Sequence, residues 1–514
     1  QRATPEDAQK QAPKGMHVVV SGAGPCGLLV ALQLQLAGIR CTVLERAAES
    51  QLEADVGSGY DLSPSSAEIL KRVGLGHTLG ADGLFRGNQA IWVSSTDGTV
   101  LRLSSLSGKQ HRGYYVANRS QLQRVLLDAL RAGGLATLQH LEEAEKAAEG
   151  IKDQVEGAAE GCDAKASPAD GAANDGAASA RLLCGYEVLS FEEDAQGVNV
   201  ECRPRGQAAT SVLRADALLG CDGVHGAVRK CMHAGGGDGL RFCGAVTFWG
   251  GTELVAGTAL EAAVTSSQAE GDAFLIVTGT RACPATIVAG VTDSAAVEGG
   301  KKVSWAMTMP PEAAGAASDR VAGSGVVGED LTRRGGVVGA EAKALAMGAV
   351  AKGGRFVQDL IAGAEERKVT LVGLYDRADL ERAWTSEGGR VALLGDAAHP
   401  QSPMQGQGVN MAICDAYCVA SRLAAAQQDG RPGSVQASLR AYDNKIRRKQ
   451  VNRTIQKARD VTGWSVSKNR LVTLAMRYAM SLAPLGMIMA EVDSADVANS
   501  VELAGLDEEL RGSP

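Results

Sequence analysis

The sequence predicts an α/β fold: a parallel sheet with its helices is interleaved with a mostly antiparallel β-sheet part and is followed by C-terminal helices. Two observations predict this fold. The run MHVVVS at 16–21 indicates a buried parallel strand, and a glycine-rich turn, an apolar helix up to Gly38 and a second strand at 40–45 follow it. Residues 241–310 hold several separate β-like stretches, which is typical of an antiparallel sheet.

A dinucleotide-binding pattern lies between the first strand and the first helix. Gly22, Gly24 and Gly27 have the spacing G-x-G-x-x-G, and Pro25 and Cys26 stand at the start of the helix. The first glycine allows the tight turn, the second lets a pyrophosphate approach the backbone, and the third allows close helix–strand packing. The free N–H groups of the helix N-terminus favour phosphate there. The pattern predicts a Rossmann-like dinucleotide-binding unit.

An acidic residue completes this unit. Glu45 ends the second strand, where a carboxylate can accept hydrogen bonds from ribose hydroxyls, and Arg46 follows it. We find no second βαβ unit with the glycine motif. This first unit does not decide between FAD and NAD(P) as the dinucleotide.

Local signals predict the elements that follow. Ser63 and Pro64 are typical of a helix start within 61–80, and the alternation over 89–103 around a D-G turn predicts a hairpin. An amphipathic helix is expected over 118–130. The remaining predictions are two strands within 182–202, one strand at 213–220, a buried strand at 390–395, and helices over 410–426 and much of 434–510.

Three more motifs occur downstream in a fixed order. The first is ANRSQLQRVLL at 117–127, which contains Arg119, and the second is GCDG at 220–223, which contains Asp222. The third is GDAAHP at 395–400, which contains Gly395 and Asp396. It is followed by a glycine-containing turn with Pro403, Gly406, Gly408, Val409 and Asn410. Together with the first βαβ unit they resemble the FAD-dependent aromatic-ring hydroxylases, the class A flavoprotein monooxygenases. The resemblance spans residues 16 to about 450.

This resemblance implies FAD as the cofactor and NADPH or NADH as a transient reductant. Asp396 would bond the ribityl chain, and the turn at 403–410 would place helix N-terminal amides against the flavin ring, where they stabilise negative charge. The Arg119 guanidinium would reach the cofactor. Asp222 belongs to a motif associated with FAD and NAD(P)H, and we expect it mainly to fix a turn. Cys221 and Gly226 depart from the family pattern there.

The implied activity is monooxygenation. NAD(P)H reduces FAD, O2 forms a flavin C4a-hydroperoxide, and an aromatic or isoprenoid-type small molecule is hydroxylated or epoxidised. No side chain is assigned as a catalytic residue and no metal site is predicted. His399 is interpreted as a packing or hydrogen-bonding residue. A reductase or cyclase of the same fold without oxygen transfer, and a non-enzymatic flavoprotein, are the alternatives. A halogenase is set aside because its W-x-W-x-I-P motif is absent.

The amino-acid composition limits the class of protein and its expected location. The chain has 514 residues, 45% of them apolar, with 22% charged and a net charge of −7, which argues against a nucleic-acid-binding protein. No apolar run is long enough for a transmembrane helix, although the run at 479–490 leaves a peripheral membrane contact open. The eleven scattered cysteines predict free thiols in a reducing intracellular compartment. Cytoplasm, or a plastid or mitochondrion after loss of a leader, would fit.

The predicted domain organisation is discontinuous. The FAD-binding part comprises 15–84, 118–141, 181–240 and 366–430; the β-sheet substrate part comprises 85–117 and 241–365; the C-terminal helical region is 431–514. Residues 1–14 are expected to be a flexible lead-in. An acidic, alanine- and glycine-rich insertion without aromatic residues is predicted at 142–180.

Overall fold

The computed structural model describes most of the chain. The described residues are 15–52, 59–80, 84–97, 100–105, 113–133, 136–138, 180–234, 239–258, 260–262, 272–293, 300–314, 337–377, 381–467, 469, 471–472, 474–475 and 485–512. The predicted lead-in at 1–14 and nearly all of the predicted insertion at 142–180 lie outside them.

The strands and helices are numbered in chain order. The strands are β1 (His17–Ser21), β2 (Arg40–Glu45), β3 (Gly59–Leu62), β4 (Arg86–Ser95), β5 (Val100–Ser105), β6 (Tyr115–Asn118), β7 (Ala136–Leu138), β8 (Ala180–Cys184), β9 (Tyr186–Glu193), β10 (Val198–Pro204), β11 (Ser211–Ala215), β12 (Ala217–Gly220), β13 (Leu240–Glu253), β14 (Asp272–Thr278), β15 (Thr286–Asp293), β16 (Lys301–Met309), β17 (Val337–Val338), β18 (Thr370–Arg377) and β19 (Val391–Leu393). The helices are α1 (Pro25–Leu36), α2 (Glu49–Leu52), α3 (Pro64–Arg72), α4 (Arg119–Ala132), α5 (Ala227–Met232), α6 (Ala340–Val350), α7 (Arg355–Ala362), α8 (Gly408–Asp429), α9 (Ser434–Tyr442), α10 (Lys445–Ser465) and α11 (Leu485–Gly512).

A six-stranded parallel sheet carries the dinucleotide-binding motif. Its strand order is β19-β12-β1-β2-β8-β7, and every neighbouring pair is parallel. Val18, Val19 and Val20 of β1 are fully buried, as the β-branched run predicts for a strand covered on both faces. α1 packs against α4 and α8 and is buried along most of its length.

A larger sheet forms the second layer of the fold. Ten strands run in the order β17-β18-β13-β16-β15-β14-β4-β6-β3, with β5 paired to β4. Its pairs are antiparallel except for β14 with β4, so the predicted α/β fold with a mostly antiparallel sheet is confirmed. The predicted hairpin corresponds to β4 and β5. A separate three-stranded sheet holds β9, β10 and β11.

The segment predicted as one strand at 213–220 is two strands in different sheets, and that prediction was wrong. The backbone N–H of His17 donates to Asp216 Oδ2 over 2.8 Å, and the Asp216 N–H donates to the His17 carbonyl over 2.8 Å. These bonds hold the chain where it leaves the small sheet and enters the parallel one. The apolar pattern continues on both sides of Asp216, so no local signal marks the break.

Two further boundaries differ from the prediction. The range 61–80 holds the end of β3 and then a helix only over Pro64–Arg72, which Ser63 caps by accepting from the Ser66 N–H. β18 pairs with β13 in the large sheet, although 366–430 had been assigned to the FAD-binding part. The sheet to which β18 belongs is decided by its pairing with β13, which lies more than a hundred positions earlier in the chain.

Candidate active site

The three motif glycines have different local roles. Gly22 has φ +103°, and a Cβ there would lie 2.5 Å from the Cys221 carbonyl oxygen. A Cβ on Gly27 would lie 2.0 Å from the Gly22 carbonyl oxygen, so Gly27 lets α1 approach the turn. A Cβ on Gly24 would meet no described atom within 4 Å. Gly24 therefore borders open space at the N-terminus of α1.

The N-terminus of α1 offers backbone N–H groups to that space. Gly24 is the N-cap residue and provides no side-chain cap, and Pro25 takes the first helical position without an N–H of its own. The Cys26 side chain points inward, where its Sγ lies 3.9 Å from Cys221 Sγ and 3.5 Å from the Ala412 carbonyl oxygen. Cys26 can therefore offer a cofactor only its backbone.

The Glu45 carboxylate is fixed beside the glycine turn. Glu45 Oε2 accepts from the Ala23 N–H over 2.7 Å, and Oε1 accepts from the Ala47 N–H over 2.8 Å. Arg46 follows it and is half-buried. A carboxylate held by two amides keeps further lone pairs available for ribose hydroxyls.

We expect Glu45→Gln to weaken FAD binding by about tenfold or more. The substitution removes the negative charge that would accept hydrogen bonds from ribose hydroxyls, and a hydrogen bond to a charged group contributes about 1.5–3 kcal/mol, against about 1 kcal/mol for a neutral pair. The measurement is the dissociation constant of FAD from flavin fluorescence. Glu49→Gln, which alters an acid paired with Arg131 at the protein surface, is the control and should leave FAD affinity unchanged.

Asp396 lies in a recess at the start of the third motif. Its side chain is reached by solvent, yet the surrounding protein desolvates it and raises the pKa of its carboxyl, while the positive charges of His399, Arg119 and Arg377 oppose that rise. Arg119 itself is exposed at the start of α4. Gly395, with φ +55°, turns the chain before Asp396 and donates its N–H to Asp415 Oδ2 over 3.0 Å. The charge of Arg119, from an earlier motif, thus acts on Asp396.

The turn between Pro403 and Asn410 carries buried polar atoms without partners. Pro403–Gln405 form a short 3-10 turn, and Gly406 has φ +63°, a left-handed conformation that suits glycine. Gly408 and Val409 then begin α8 and are half-buried. In the described part of the chain, three glutamine side chains near this turn have at least one buried amide atom without a hydrogen-bond partner: Gln401, Gln405 and Gln407.

These glutamines were missed as candidate site residues. Glutamine is common on surfaces, and only the fold shows that their amide atoms are buried here without partners. Buried amides normally find a partner, so their arrangement suits a polar group bound against the turn. Together with the open space at Gly24 and the recess at Asp396, they fit a long, polar dinucleotide such as FAD.

Asn410 acts mainly as a clamp within the protein. Its Oδ1 accepts from the Ser63 N–H over 2.9 Å and from Ser66 Oγ over 2.8 Å. Its Nδ2 donates to the carbonyl oxygens of Asp61, over 2.8 Å, and Gly406, over 3.2 Å. The side-chain amide is therefore fully used, and Asn410 can offer a cofactor only its backbone N–H.

Asp222 fixes a turn, as expected. Its Oδ2 accepts from the Val228 N–H over 3.1 Å and from Ser21 Oγ over 3.3 Å, while burial raises the pKa of its carboxyl. A Cβ on Gly226 would lie 2.0 Å from Asp222 Oδ1, which explains why this chain carries glycine there. Arg229 of the following helix donates to the carbonyl oxygens of Ala397 and Ala398, over 3.2 and 3.1 Å. The second and third motifs are thus joined.

His399 is buried in the interior. Its Nε2 lies 2.5 Å from Asp415 Oδ2, and its ring lies 5.0 Å from that of Trp384. This contact agrees with its interpretation as a packing and hydrogen-bonding residue. Within the described ranges, no group of three or more His, Cys, Asp or Glu side chains is placed to hold a metal ion.

Comparison with known proteins decides the family. A family model described as FAD binding domain matches residues 15–179, 169–241 and 328–458. The chain belongs to this FAD-binding family. The match covers both the glycine turn and the Asp396 recess, so FAD is the cofactor of this fold.

Relatives agree with this assignment. A 3-amino-4-hydroxybenzoate 2-monooxygenase of Streptomyces cremeus is 27% identical over 435 residues, covering 84% of this chain and 83% of that protein. A chloroplastic zeaxanthin epoxidase of Prunus armeniaca is 39% identical over 95 residues, 18% of this chain and 14% of that protein. The structure of Klebsiella pneumoniae HpxO with FAD and uric acid has a TM-score of 0.64 at 20% identity, covering 94% of this chain and 97% of that one. The predicted class, an FAD-dependent monooxygenase, is confirmed.

Proposed function

We propose that this FAD-binding protein hydroxylates a small aromatic molecule with NAD(P)H and O2. The extent of similarity supports an aromatic over an isoprenoid substrate. The relative named for an aminohydroxybenzoate is similar over 83% of its length, whereas the carotenoid epoxidase is similar over 14% of its own. A ring-sized substrate would lie between the flavin and the large sheet, since ligands often bind where two parts of a fold meet.

The buried amide atoms without partners at Gln401, Gln405 and Gln407, beside the turn at 403–410, carry this proposal. In it, the N–H groups at Gly24 and α1 bind the pyrophosphate, and Glu45 binds ribose hydroxyls. Asp396 accepts hydrogen bonds from the ribityl chain, and Arg119 neutralises nearby oxygen charge. Bound FAD supplies the redox chemistry, taking a hydride from NAD(P)H and activating O2.

The turn at 403–410 has two tasks in this proposal. Its backbone N–H groups and the N-terminus of α8 lie against the flavin ring and stabilise negative charge on the reduced form. The glutamines at 401, 405 and 407 supply hydrogen bonds that fix the ring or the substrate, and the surrounding protein excludes water. Excluding water limits the wasteful release of peroxide.

The test starts with the absorbance spectrum of the purified protein and then adds NADPH or NADH in an oxygen electrode. We expect flavin bands that bleach slowly, and faster bleaching with linked oxygen uptake when an aromatic substrate is added. A protein that binds FAD but is reduced by neither nicotinamide would contradict the proposal. A redox-neutral or partner-reduced flavoprotein would then be the better description.

Asp396→Ala is expected to lower the FAD content of the purified protein at least several-fold, because a hydrogen bond to a charged group contributes about 1.5–3 kcal/mol. Asp429→Ala, which removes a half-buried acid paired with Arg431 at the end of α8, is the matched control. The ratio of flavin to protein absorbance measures both. Equal FAD content in the two variants would remove Asp396 from the binding site.

No described helix is long and apolar enough to cross a membrane. The ten cysteines of the described residues are free thiols, which is consistent with a reducing compartment. Cytoplasm and organelle are both retained as predictions of the sequence, as is a peripheral membrane contact.

A further inference from the structure

The Asp61 carboxyl is a polar group that the cofactor site does not use. Asp61 Oδ1 is buried and has no hydrogen-bond partner in the described part of the chain. Burial raises the pKa of this carboxyl to about 7, and among the described residues no charged side chain contributes to the shift. The residue as a whole is only partly buried, so its side chain borders accessible space. An acid in such a place costs folding free energy, which suggests a role in binding.

Asp61 lies next to the turn that is proposed to face the flavin ring. Its carbonyl oxygen accepts from Asn410 Nδ2 over 2.8 Å, and two residues later the Ser63 N–H donates to Asn410 Oδ1 over 2.9 Å. These bonds dock the end of β3 on the N-terminus of α8. The backbone of Asp61 is thus held beside that N-terminus.

The side chain of Asp61 faces β15, another strand of the large sheet to which β3 itself belongs. Leu62, its neighbour, is fully buried in the core of the cofactor-binding part, and successive strand residues point to opposite faces. Asp61 pairs with Val116 of β6, and paired residues of antiparallel strands share a face. Val116 Cγ1 would lie 2.8 Å from a Cβ on Gly290, so this face looks toward β15. Asp61 therefore lies between the turn at 403–410, which its backbone contacts, and β15.

We infer that Asp61 binds the substrate by accepting a hydrogen bond from an O–H or N–H group on its aromatic ring. The inference rests on the proposed function and adds the residue that recognises a donor group of the substrate. A carboxylate with no cation beside it among the described residues is stabilised most by a hydrogen-bond donor of the ligand. It repels a second carboxylate. Any acidic group of the substrate must therefore point away from Asp61.

The test compares donor-bearing ligands with their methylated forms on the FAD-loaded protein. The probes are 4-methylphenol against 4-methoxytoluene, and 4-methylaniline against its N,N-dimethyl form, with dissociation constants taken from perturbation of the flavin spectrum. We expect the wild type to prefer each donor-bearing probe by about tenfold or more. Asp61→Asn keeps only an uncharged acceptor, so it should lose part of that preference at unchanged FAD content. Asp194→Asn, at an exposed acid paired with Arg214, should keep it.

Thermal unfolding at pH 8 provides a measurement that needs no ligand. Asp61→Asn removes an unpartnered negative charge, so its Tm should equal or exceed that of the wild type. A markedly lower Tm would show a structural carboxyl and overturn the inference. Equal binding of donor and methylated probes by the wild type, binding of none of them, or an unchanged preference in Asp61→Asn would also overturn it. A wild type without FAD, or one that NAD(P)H does not reduce, would instead contradict the proposed function.

Discussion

Gly27→Ala is expected to destabilise the fold around the glycine turn, while Gly24→Ala is expected to fold normally and bind FAD poorly. The added Cβ at position 27 would lie 2.0 Å from a backbone oxygen of Gly22, which no side-chain rotation can relieve. Overpacking of this kind costs about 1–3 kcal/mol and sometimes more. The same methyl group at position 24 meets no described atom within 4 Å, but it enters the space proposed for the pyrophosphate.

Chemical unfolding and FAD titration together separate these effects. Gly27→Ala should lower the unfolding midpoint, and Gly24→Ala should keep the midpoint and raise the dissociation constant of FAD. Each variant is the control for the other, because both replace a glycine of the same turn with alanine. Unchanged FAD affinity in Gly24→Ala would contradict the placement of the pyrophosphate at this turn.

Arg447→Met is expected to lower the free energy of unfolding by about 3–5 kcal/mol, the usual cost of breaking a buried ion pair by removing one partner. Arg447 Nη2 donates to Asp415 Oδ1 over 3.0 Å, and both side chains are fully buried. Burial alone would raise the pKa of Asp415, but His399, Arg447 and the Gly395 N–H together hold it well below its usual range. Asp415 therefore stays charged, and the substitution leaves that charge short of a cation.

Loss of the Arg447–Asp415 ion pair should also affect FAD binding at Asp396. Asp415 accepts the N–H of Gly395, the residue before Asp396, so a displaced Asp415 shifts the Asp396 turn and lowers FAD content. Arg431→Met, at an exposed arginine paired with Asp429, should change stability by no more than about 1 kcal/mol. Adding Asp415→Asn to Arg447→Met should cost less than the two single changes summed, since both act on one network. Strict additivity would argue against the coupling.

Much of the fold was predicted from signals between residues that are close in the sequence. The β-branched run, the glycine spacing and Glu45 lie within about thirty residues, and steric fit and capping act at that range, so this βαβ unit formed as expected. The hairpin of β4 and β5 and the start of α3 at Ser63 followed from turn and capping chemistry for the same reason. The division of residues 213–220 into two strands was missed, because no local signal shows that the chain passes from one sheet to another at Asp216.

The first βαβ unit follows from the order of amino acids alone, because it depends on residues that are neighbours in the chain. The class of cofactor was implied by the resemblance that several separate motifs carry in their order along the chain. Whether the hydrogen-bonding groups of these residues can bind a ligand depends instead on how distant segments pack together. The Asn410 side chain is occupied by hydrogen bonds to residues almost 350 positions earlier, and the charge of Arg119 acts on Asp396 from another segment. Asp61 Oδ1 has no partner among the described residues. Burial and hydrogen-bond satisfaction are properties of packing between such segments, and no local pattern encodes them.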